Sequence, residues 1–276
     1  MKNIVISGGT DGIGKALALK YLIQGDNIIV IGRNKEKGRA FIEAANEIDA
    51  GARFFFIQAD LSLVSENKRV IEEIKSKFSV VDALVLCARH YRTTRLETAE
   101  GFEDNFALFY LSRFLLSHGL VESLEKADNP IIMNVAGPGA HLSVIHWNDL
   151  GLEQGYNGGT ALTQGGKLND LLGVAFASKH GAGRIRYVLF HPGTTSTSFS
   201  GEYDEPTAAH IVAMKKLGKP VVESIEPIVV IINAPPAEPM SAFVEGKRIS
   251  VEHKSFDKDA AKRLYDFTRE LLVTLT

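Results

Sequence analysis

A glycine-rich segment near the amino end of the chain has the residue types and spacing of a phosphate-binding loop. It follows an apolar run at Asn3–Ser7 and leads into a segment of helical period that begins at Ile13. Glycines in such a turn let the backbone approach a pyrophosphate, and the following helix supplies amide donors and partial positive charge. We therefore predict that the loop binds the pyrophosphate of a dinucleotide. The predicted contact residues are Gly8, Thr10, Asp11, Gly12, Ile13 and Gly14.

Arg33 lies 19 residues beyond Gly14, at the end of the second apolar run. In NAD sites, an Asp or Glu roughly 20 residues after the last glycine binds the ribose hydroxyls. Arg33 instead presents a guanidinium, whose planar donors match a phosphate, and Asn34 and Lys35 follow it. An ordinary surface arginine is the alternative interpretation. The sequence thus predicts NADP(H) as the cofactor, with Arg33 and Asn34 at its 2′-phosphate.

Apolar runs of four to six residues alternate with longer segments of helical period, a pattern typical of parallel βαβ units. The predicted strands are Asn3–Ser7, Asn27–Ile31, Arg53–Ile57, Ala83–Leu86, Ile131–Val135, Ile185–Phe190 and Ala242–Val244. The predicted helices are Ile13–Gln24, Lys35–Asp49, Ser65–Phe78, Phe102–Lys126, Lys167–Lys179, Glu205–Leu217 and Asp257–Leu272. We predict a single α/β domain over residues 1–276, with a Rossmann-type, doubly wound, mainly parallel seven-stranded sheet in three αβα layers. Ligands should bind along the carboxyl ends of the strands, with a substrate flap near residues 193–225.

The charge balance argues against some classes of function. The chain has 31 Lys and Arg against 33 Asp and Glu, a net charge of −2, whereas nucleic-acid binders usually carry a large positive surplus. The eight histidines show no metal-ligand spacing, so no metal site is predicted. Cys87 is the single cysteine, and no apolar run approaches the roughly 18 residues of a membrane span. We expect a soluble, cytoplasmic protein without a membrane span.

Several motifs resemble the short-chain dehydrogenase/reductase family over nearly the whole chain. The family's TGxxxGIG loop corresponds to Ser7–Gly14, its adenine-contacting Asp to Asp60, and its Pro-Gly element to Pro192-Gly193. The pairs Arg33-Asn34 and Lys167-Leu168 are most similar to the branch that contains retinol dehydrogenases and protochlorophyllide reductases. The resemblance implies a Rossmann-type fold, NADP(H) as cofactor and a small-molecule substrate. The further cofactor-binding residues that it implies are Asp60 and Leu61 at the adenine, and Cys87, Ala88, Lys167, Pro192, Gly193, Thr195 and Thr197.

The catalytic residues depart from the family's pattern. Members of the family normally reduce carbonyl groups with an Asn, a Ser, a Tyr and a Lys, of which this chain retains only Lys167. The other three positions are occupied by Phe109, Gly137 and Thr163. An aliphatic hydroxyl such as that of Thr163 has too high a pKa to replace a phenol as general acid. The resemblance implies that Lys167 holds the nicotinamide ribose, while Thr163 either hydrogen-bonds a substrate or simply starts a helix.

Replacement proton donors are expected in the segment 137–163, which in such sheets faces the nicotinamide. Its candidate donors are His141, His146 and Tyr156. An imidazole with a pKa of about 6.5 can donate a proton at neutral pH, whereas a tyrosine needs a neighbour that lowers its pKa. An ordinary structural role is the alternative for each of them. His90 and Tyr91, after the fourth strand, could line the same pocket from the other side.

Two classes of function remain open. The first is an atypical short-chain dehydrogenase/reductase that transfers a hydride between NADP(H) and an iminium, enone or carbonyl substrate without the usual Tyr. The second is a non-catalytic NADP(H)-binding sensor or partner subunit, which requires only the cofactor residues. In this family the outer faces of two helices often form a dimer interface. The resemblance therefore also implies a homodimer through the helices predicted at 102–126 and 167–179.

Overall fold

The computed structural model describes residues 1–139 and 144–274. The strands are β1 (Asn3–Ser7), β2 (Asn27–Gly32), β3 (Phe54–Gln58), β4 (Ala83–Leu86), β5 (Tyr91–Arg92), β6 (Ile131–Val135), β7 (Arg186–His191), β8 (Gly201–Glu202), β9 (Met240–Val244) and β10 (Lys247–Ile249). The helices are α1 (Gly12–Gln24), α2 (Lys35–Glu47), α3 (Val64–Lys77), α4 (Asp104–Phe106), α5 (Ser112–Gly119), α6 (Val121–Glu125), α7 (Gly158–His180), α8 (Glu205–Leu217), α9 (Val221–Asn233) and α10 (Lys258–Val273). None of the described helices is long and apolar enough to cross a membrane.

Eight of these strands form one sheet in the order β10-β9-β7-β6-β4-β1-β2-β3. Neighbouring strands pair in parallel, except that β10 runs antiparallel to β9. From β1 the chain builds outward to β2 and β3, and then crosses back to place β4 on the other side. Such a reversal opens a crevice at the carboxyl ends of the central strands. The predicted Rossmann-type, doubly wound sheet is confirmed.

Helices cover both faces of the sheet because alternate residues of each buried strand point to opposite sides. On one face, Ile4 packs with Leu17 of α1 and Ile228 of α9. On the other face, Val5 belongs to the core that includes Leu171 of α7, together with residues of α3, α5 and α10. These two cores make the three αβα layers that the sequence predicted.

The sheet has one strand more than the seven predicted. The additional strand, β10, follows β9 through a two-residue turn at Glu245 and Gly246, whose φ angles are +51° and +80°. Positive φ at both turn residues matches the twist of a tight hairpin. Because β10 is three residues long and mostly exposed, it has no apolar periodicity from which it could be predicted.

Helix α9 was also absent from the prediction. Pro227 lies inside it, and a proline in a helix interior removes a hydrogen bond and usually ends or kinks the helix. Here the apolar side chains of Ile225, Ile228 and Ile232 are buried in the core with β1 and α1. This burial outweighs the local penalty of the proline.

Helix α7 begins at Gly158 rather than at the predicted Lys167. Asn157 caps it, because its side chain accepts a hydrogen bond from Thr160 N at 3.0 Å. Four glycines in this stretch weaken its helix propensity, which explains why the sequence did not predict the first turns. Gly165 is required by packing, since a Cβ there would lie 2.6 Å from the Phe109 ring. The predicted helix 102–126 is divided into α4, a π-helical turn, α5 and α6.

The two helices predicted to form a homodimer are covered by α10 of the same chain. Thr268 of α10 and Tyr110 share a hydrogen bond of 2.6 Å between their hydroxyl groups. The ring of Tyr265 lies 5.6 Å from that of Phe114 and 4.2 Å from the Lys179 ammonium. The homodimer through these helices stays a prediction, and α10 covers part of the surface that it would use.

Candidate functional site

A cleft of about 740 Å³ opens along the carboxyl ends of β1, β2, β4, β6 and β7. We call the part that residues 8–61 line the cofactor region, and the part that residues 87–214 line the substrate region. The cleft lies at the edge of the sheet where the sequence predicted ligand binding.

The glycine loop forms a cradle that has no room for side chains. Gly8 has a φ of +70°, and its N donates to Ile31 O at 2.9 Å. A Cβ at Gly8 would lie 2.7 Å from the backbone N of Ala88, and one at Gly14 would lie 2.4 Å from Gly8 O. The loop therefore passes close to β4 and turns directly into α1. A backbone of this shape at a helix N-terminus fits a pyrophosphate group.

Two predicted cofactor residues cap the helices beside this loop. Asp11 caps α1 and accepts a hydrogen bond from Gly12 N at 2.7 Å, and its carboxylate also contacts Lys37 Nζ. Burial tends to raise the pKa of Asp11, but its hydrogen bonds outweigh burial and lower the pKa. Asn34 caps α2 by accepting from Lys37 N at 2.7 Å. These caps hold the starts of α1 and α2 at the wall of the cleft.

The residues predicted for the 2′-phosphate and the adenine line one wall of the cofactor region. Arg33 Nη1 lies 3.8 Å from Asp60 Oδ2, and 58% of the Arg33 side chain is exposed. Asn34 and Leu61 line the same wall. Lys37 lines it too, although Lys37 was not among the predicted site residues. Its position in the first turn of α2, four residues after Arg33, could have indicated this second cation.

The structure brings further predicted cofactor residues to the same cleft. These lining residues are Cys87, Ala88, Pro192, Gly193, Thr195 and Thr197. Burial raises the pKa of the Cys87 thiol to about 12, so the thiol stays protonated and is a poor nucleophile. Thr195 donates a hydrogen bond to Ser224 Oγ at 2.9 Å, which ties the segment after β7 to α9. These residues form part of the cleft wall.

Three predicted catalytic residues are not among the described residues that line the cleft. Lys167 Nζ donates to Lys254 O at 3.0 Å, in the segment just before α10. The Tyr156 hydroxyl lies 3.4 Å from Glu103 Oε1, and burial together with this carboxylate raises the Tyr156 pKa. His146 lies in the segment before α7 and is held there through its backbone N. The structure does not bring these three side chains together with the cofactor region.

Thr163 is the one predicted catalytic residue that the described structure places in the cleft. Its Oγ1 donates to Gly159 O at 3.0 Å and to Thr160 O at 3.1 Å, so the helix backbone already accepts its proton. Lys167 lies one turn further along α7 on the same side of the helix, but its ammonium is engaged outside the cleft. His141 lies outside the described residues.

His90 and Tyr91 line the substrate region, as the sequence analysis expected. His90 is 6% exposed; its Nε2 contacts Asp104 Oδ2, and Arg92 Nε donates to the same oxygen at 2.6 Å. Burial tends to raise the pKa of Asp104, but His90 and Arg92 outweigh burial and lower it. An ionised carboxylate that contacts one nitrogen of an imidazole orients the ring. This arrangement can hold and deliver a proton.

The substrate region also contains residues that the sequence analysis did not select. Arg89 follows Ala88, and His191 precedes the Pro-Gly element. Tyr203 lies in the predicted flap, and its ring stacks on Tyr91 with centroids 5.9 Å apart. The other lining residues of the flap after Thr197 are Ser198, Phe199, Ser200, Thr207, His210, Ile211 and Met214. Arg89 and His191 adjoin motif residues, so their position in the sequence was a usable signal.

The described residues include no cluster of three or more His, Cys, Asp or Glu that could hold a metal ion.

Comparison with known sequences identifies related proteins. A sequence model of the short chain dehydrogenase family matches residues 2–149. Human retinol dehydrogenase 11 is 27% identical over 197 residues, which cover 71% of this chain and 62% of that protein. Human retinol dehydrogenase 12 is 26% identical over 281 residues, with coverages of 98% and 86%. Human polyprenol dehydrogenase is 25% identical over 150 residues, with coverages of 53% and 46%. The chain thus spans less than two thirds of the length of two of these curated relatives.

Solved structures share the fold. The NADPH-bound carbonyl reductase from chicken fatty liver has a TM-score of 0.68 and 14% identity, with 91% of this chain and 99% of that chain covered. A short chain dehydrogenase from Burkholderia cenocepacia J2315, in complex with NADP, has a TM-score of 0.68 and 17% identity, with coverages of 89% and 97%. At these identities the likeness is one of fold.

Proposed function

The chain belongs to the short-chain dehydrogenase family, and on this premise we propose that it is an atypical NADP(H)-dependent oxidoreductase. It transfers a hydride between the cofactor and a small organic substrate that carries an iminium, enone or carbonyl group. The observation that carries this proposal is one continuous cleft, which joins the cradle of Gly8 and Gly14 to the His90–Asp104 pair. The segment 193–225 supplies part of the wall and is proposed as the substrate flap.

The charges of the cofactor region support NADP(H) over NAD(H). Arg33 occupies the place where NAD sites hold a carboxylate, and Lys37 adds a second cation to the same wall. Arg33 is exposed, Asp60 is half-buried, and their charged atoms are 3.8 Å apart, so their attraction is weak and the guanidinium can turn towards a phosphate at small cost. Two solved structures with the same fold contain NADPH or NADP.

When bound, NADPH supplies the hydride, and the chain must position the cofactor and control the proton. The glycine cradle and the first amides of α1 bind the pyrophosphate, while Arg33 and Lys37 bind the 2′-phosphate. His90, oriented by Asp104, takes the place of the missing tyrosine as proton donor. A cationic acceptor such as an iminium carbon needs no proton in the same step, so His90 matters least for such substrates.

Calorimetric titration with NADPH and NADH tests the cofactor. We expect the natural protein to bind NADPH at least about tenfold more tightly than NADH, because a charged hydrogen bond contributes about 1.5–3 kcal/mol. Arg33→Ala should weaken NADPH binding by about 10–100-fold and leave NADH binding unchanged. Arg39→Ala, an exposed α2 arginine outside the cleft lining, is the matched control. Equal affinities for the two cofactors would remove the NADP(H) assignment.

Consumption of NADPH in the presence of iminium, enone and ketone compounds tests the activity. Turnover of one class identifies the kind of acceptor that the substrate region takes. Turnover of carbonyl compounds that depends on His90 supports proton transfer by this residue, whereas turnover of iminium compounds alone supports hydride transfer without a donor. NADPH binding without turnover of any class contradicts the enzyme proposal.

The second candidate is a non-catalytic NADP(H)-binding sensor or partner subunit. It is favoured by the position of Lys167, whose ammonium bonds Lys254 O rather than facing the cleft. Phe109, Gly137 and Thr163 also stand where the family has its catalytic Asn, Ser and Tyr. Such a protein needs the cofactor region alone. Tight NADPH binding with no turnover in the acceptor series would select this function.

A cytoplasmic location is proposed as well. Cys87 is the only cysteine and is present as a free thiol, which suits a reducing compartment. Fractionation of cells that express the full protein tests the proposal, and recovery in the membrane pellet would contradict it.

A further inference from the structure

Two arginines, one that lines the substrate region and one that is buried behind it, lie against the same aromatic ring. The guanidinium of Arg89 lies 5.6 Å from the centroid of the Phe109 ring, and that of Arg113 lies 4.5 Å from it. Phe109 is itself buried, at 1% exposure. Cations are attracted to the face of an aromatic ring, so Phe109 provides a surface against which both guanidinium groups are held.

Arg113 is a buried cation whose donors reach neutral groups. It is 1% exposed, and its guanidinium donates to Val135 O at 2.9 Å and to Ala88 O at 3.1 Å, and also contacts Asn134 Oδ1. Burial lowers the pKa of Arg113 to about 9, which leaves it protonated at neutral pH. Arg113 therefore fixes the carboxyl ends of β4 and β6 and places a positive charge behind the wall of the cleft.

Arg89 lies in front of this wall. Its side chain is exposed and lines the cleft. The surrounding protein lowers the pKa of its guanidinium, and the Tyr203 hydroxyl, rather than a carboxylate, acts in the opposite direction. A guanidinium is built to bind a carboxylate through two parallel hydrogen bonds. Within the described chain, Arg89 takes part in no salt bridge, so those donors remain available to a ligand.

The acidic groups around Arg89 already have cationic partners. Asp104 is contacted by His90 and Arg92, and Arg92 also contacts Glu202. Glu245, near His191, pairs with Lys219 at 3.0 Å. Arg89 and Arg113 are thus left without a compensating anion in the described chain. A cleft wall with an excess of positive charge attracts a negatively charged ligand, and this attraction becomes stronger as water is excluded from the cleft.

We propose that Arg89 binds an anionic group of the substrate, a carboxylate, with the Phe109 ring behind it and the Arg113 charge in support. The inference rests on the proposed function and narrows it. The substrates are oxo acids, unsaturated acids or imino acids rather than neutral carbonyl compounds. The same chemistry could instead serve a phosphate of the cofactor, and the experiment separates these two sources.

The test compares benzoate with benzamide, which have similar shapes and differ in charge, in calorimetric titrations of the NADP⁺-saturated protein. Benzoate should bind at least about tenfold more tightly, because the hydrogen bonds are charge-assisted. Arg89→Gln should abolish this preference and change NADP⁺ affinity by less than about twofold. Arg269→Gln, which removes an exposed arginine of α10 outside the cleft lining, should keep both properties.

Three results would overturn the inference. Equal binding of benzoate and benzamide to the natural protein shows that no anion site exists. A loss of NADP⁺ affinity above about tenfold in Arg89→Gln assigns Arg89 to the cofactor. Full retention of the benzoate preference in Arg89→Gln assigns the anion to another group of the cleft. Failure of the natural protein to bind NADP⁺ contradicts the proposed function instead, and the benzoate titration is then read on the cofactor-free protein.

Discussion

The two regions of the cleft come from different parts of the chain and use different atoms. The cofactor region is assembled within residues 8–61, and its central feature is a backbone cradle that excludes side chains at Gly8 and Gly14. The substrate region draws on segments as far apart as Arg89 and Met214, and its chemistry resides in side chains.

This difference determines how each region can change. A backbone cradle depends on glycines whose replacement is sterically forbidden. The cradle therefore keeps its shape, and with it its function, only while the glycines stay at the same positions in the sequence. A side-chain site can exchange its groups while the strands beneath stay in place. In this chain, the position of the usual tyrosine is Thr163, while the ionisable pair lies at His90 and Asp104. Replacement of single residues in each region can test this contrast.

Replacement of His90 tests whether side chains carry the chemistry of the substrate region. His90→Gln should lower the turnover of an oxo-acid substrate by about 10²–10⁴-fold, because an amide cannot act as a general acid. The affinity for NADPH should not change. His210→Gln removes another histidine of the cleft lining and should leave turnover within about threefold. Turnover that survives His90→Gln in stopped-flow measurements contradicts proton donation by His90.

Replacement of Gly8 tests whether the backbone carries the cofactor region. Gly8→Ala places a Cβ against the Ala88 backbone at a positive φ, and we expect NADPH affinity to fall by about 100-fold. Gly137→Ala is the control, since the nearest atom to its Cβ, in His191, is 3.7 Å away. Circular dichroism checks that both variants fold. An unchanged NADPH dissociation constant for folded Gly8→Ala would show that the cradle tolerates a side chain.

Replacement of Asp170 tests how α7, which contributes residues to the wall of the substrate region, is held in place. It is fully buried in α7 and accepts a hydrogen bond from Gly139 N at 2.9 Å, and burial raises its pKa to about 7. The folded protein therefore binds a proton that the unfolded chain releases near pH 4. Stability is greatest at low pH and decreases as the pH rises through 7, by about 2.5 kcal/mol between about pH 5 and pH 8.

Asp170→Asn should remove this part of the pH dependence, because an amide keeps the acceptor for Gly139 and does not ionise. Urea unfolding at the two pH values measures the difference. The same loss of stability with pH in Asp170→Asn would show that another group is responsible.

Replacement of Lys167 should affect cofactor binding least. The chain retains this lysine of the family's pattern, but its ammonium lies outside the cleft. Lys167→Met should change NADPH affinity by less than about twofold, because its ammonium bonds Lys254 O outside the cleft lining. Lys37→Met, which removes a cation of the cofactor region, should weaken NADPH binding by about tenfold. A loss above about tenfold for Lys167→Met would mean that this lysine reaches the cofactor, as in the family's usual arrangement.

Local sequence patterns predicted seven of the eight strands of the sheet and the glycine loop that leads into α1. These depend on local properties: apolar runs that must be buried, and glycines spaced so that a strand can turn into a helix. Other features of the structure depend on contacts between distant parts of the chain. Pro227 is retained in a helix because α9 buries its apolar face, and Lys167 is drawn away by the carbonyl of Lys254, 87 residues later.

The same holds for the groups that face the substrate. His90 contacts Asp104 only because the chain between them folds back. Arg89 and Arg113 come from different segments and contact the same ring, that of Phe109. Spacing in a sequence records which residues a single helix or turn will bring together. Contacts between side chains of separate segments depend on how those segments pack, and this packing is decided by the burial of the whole core.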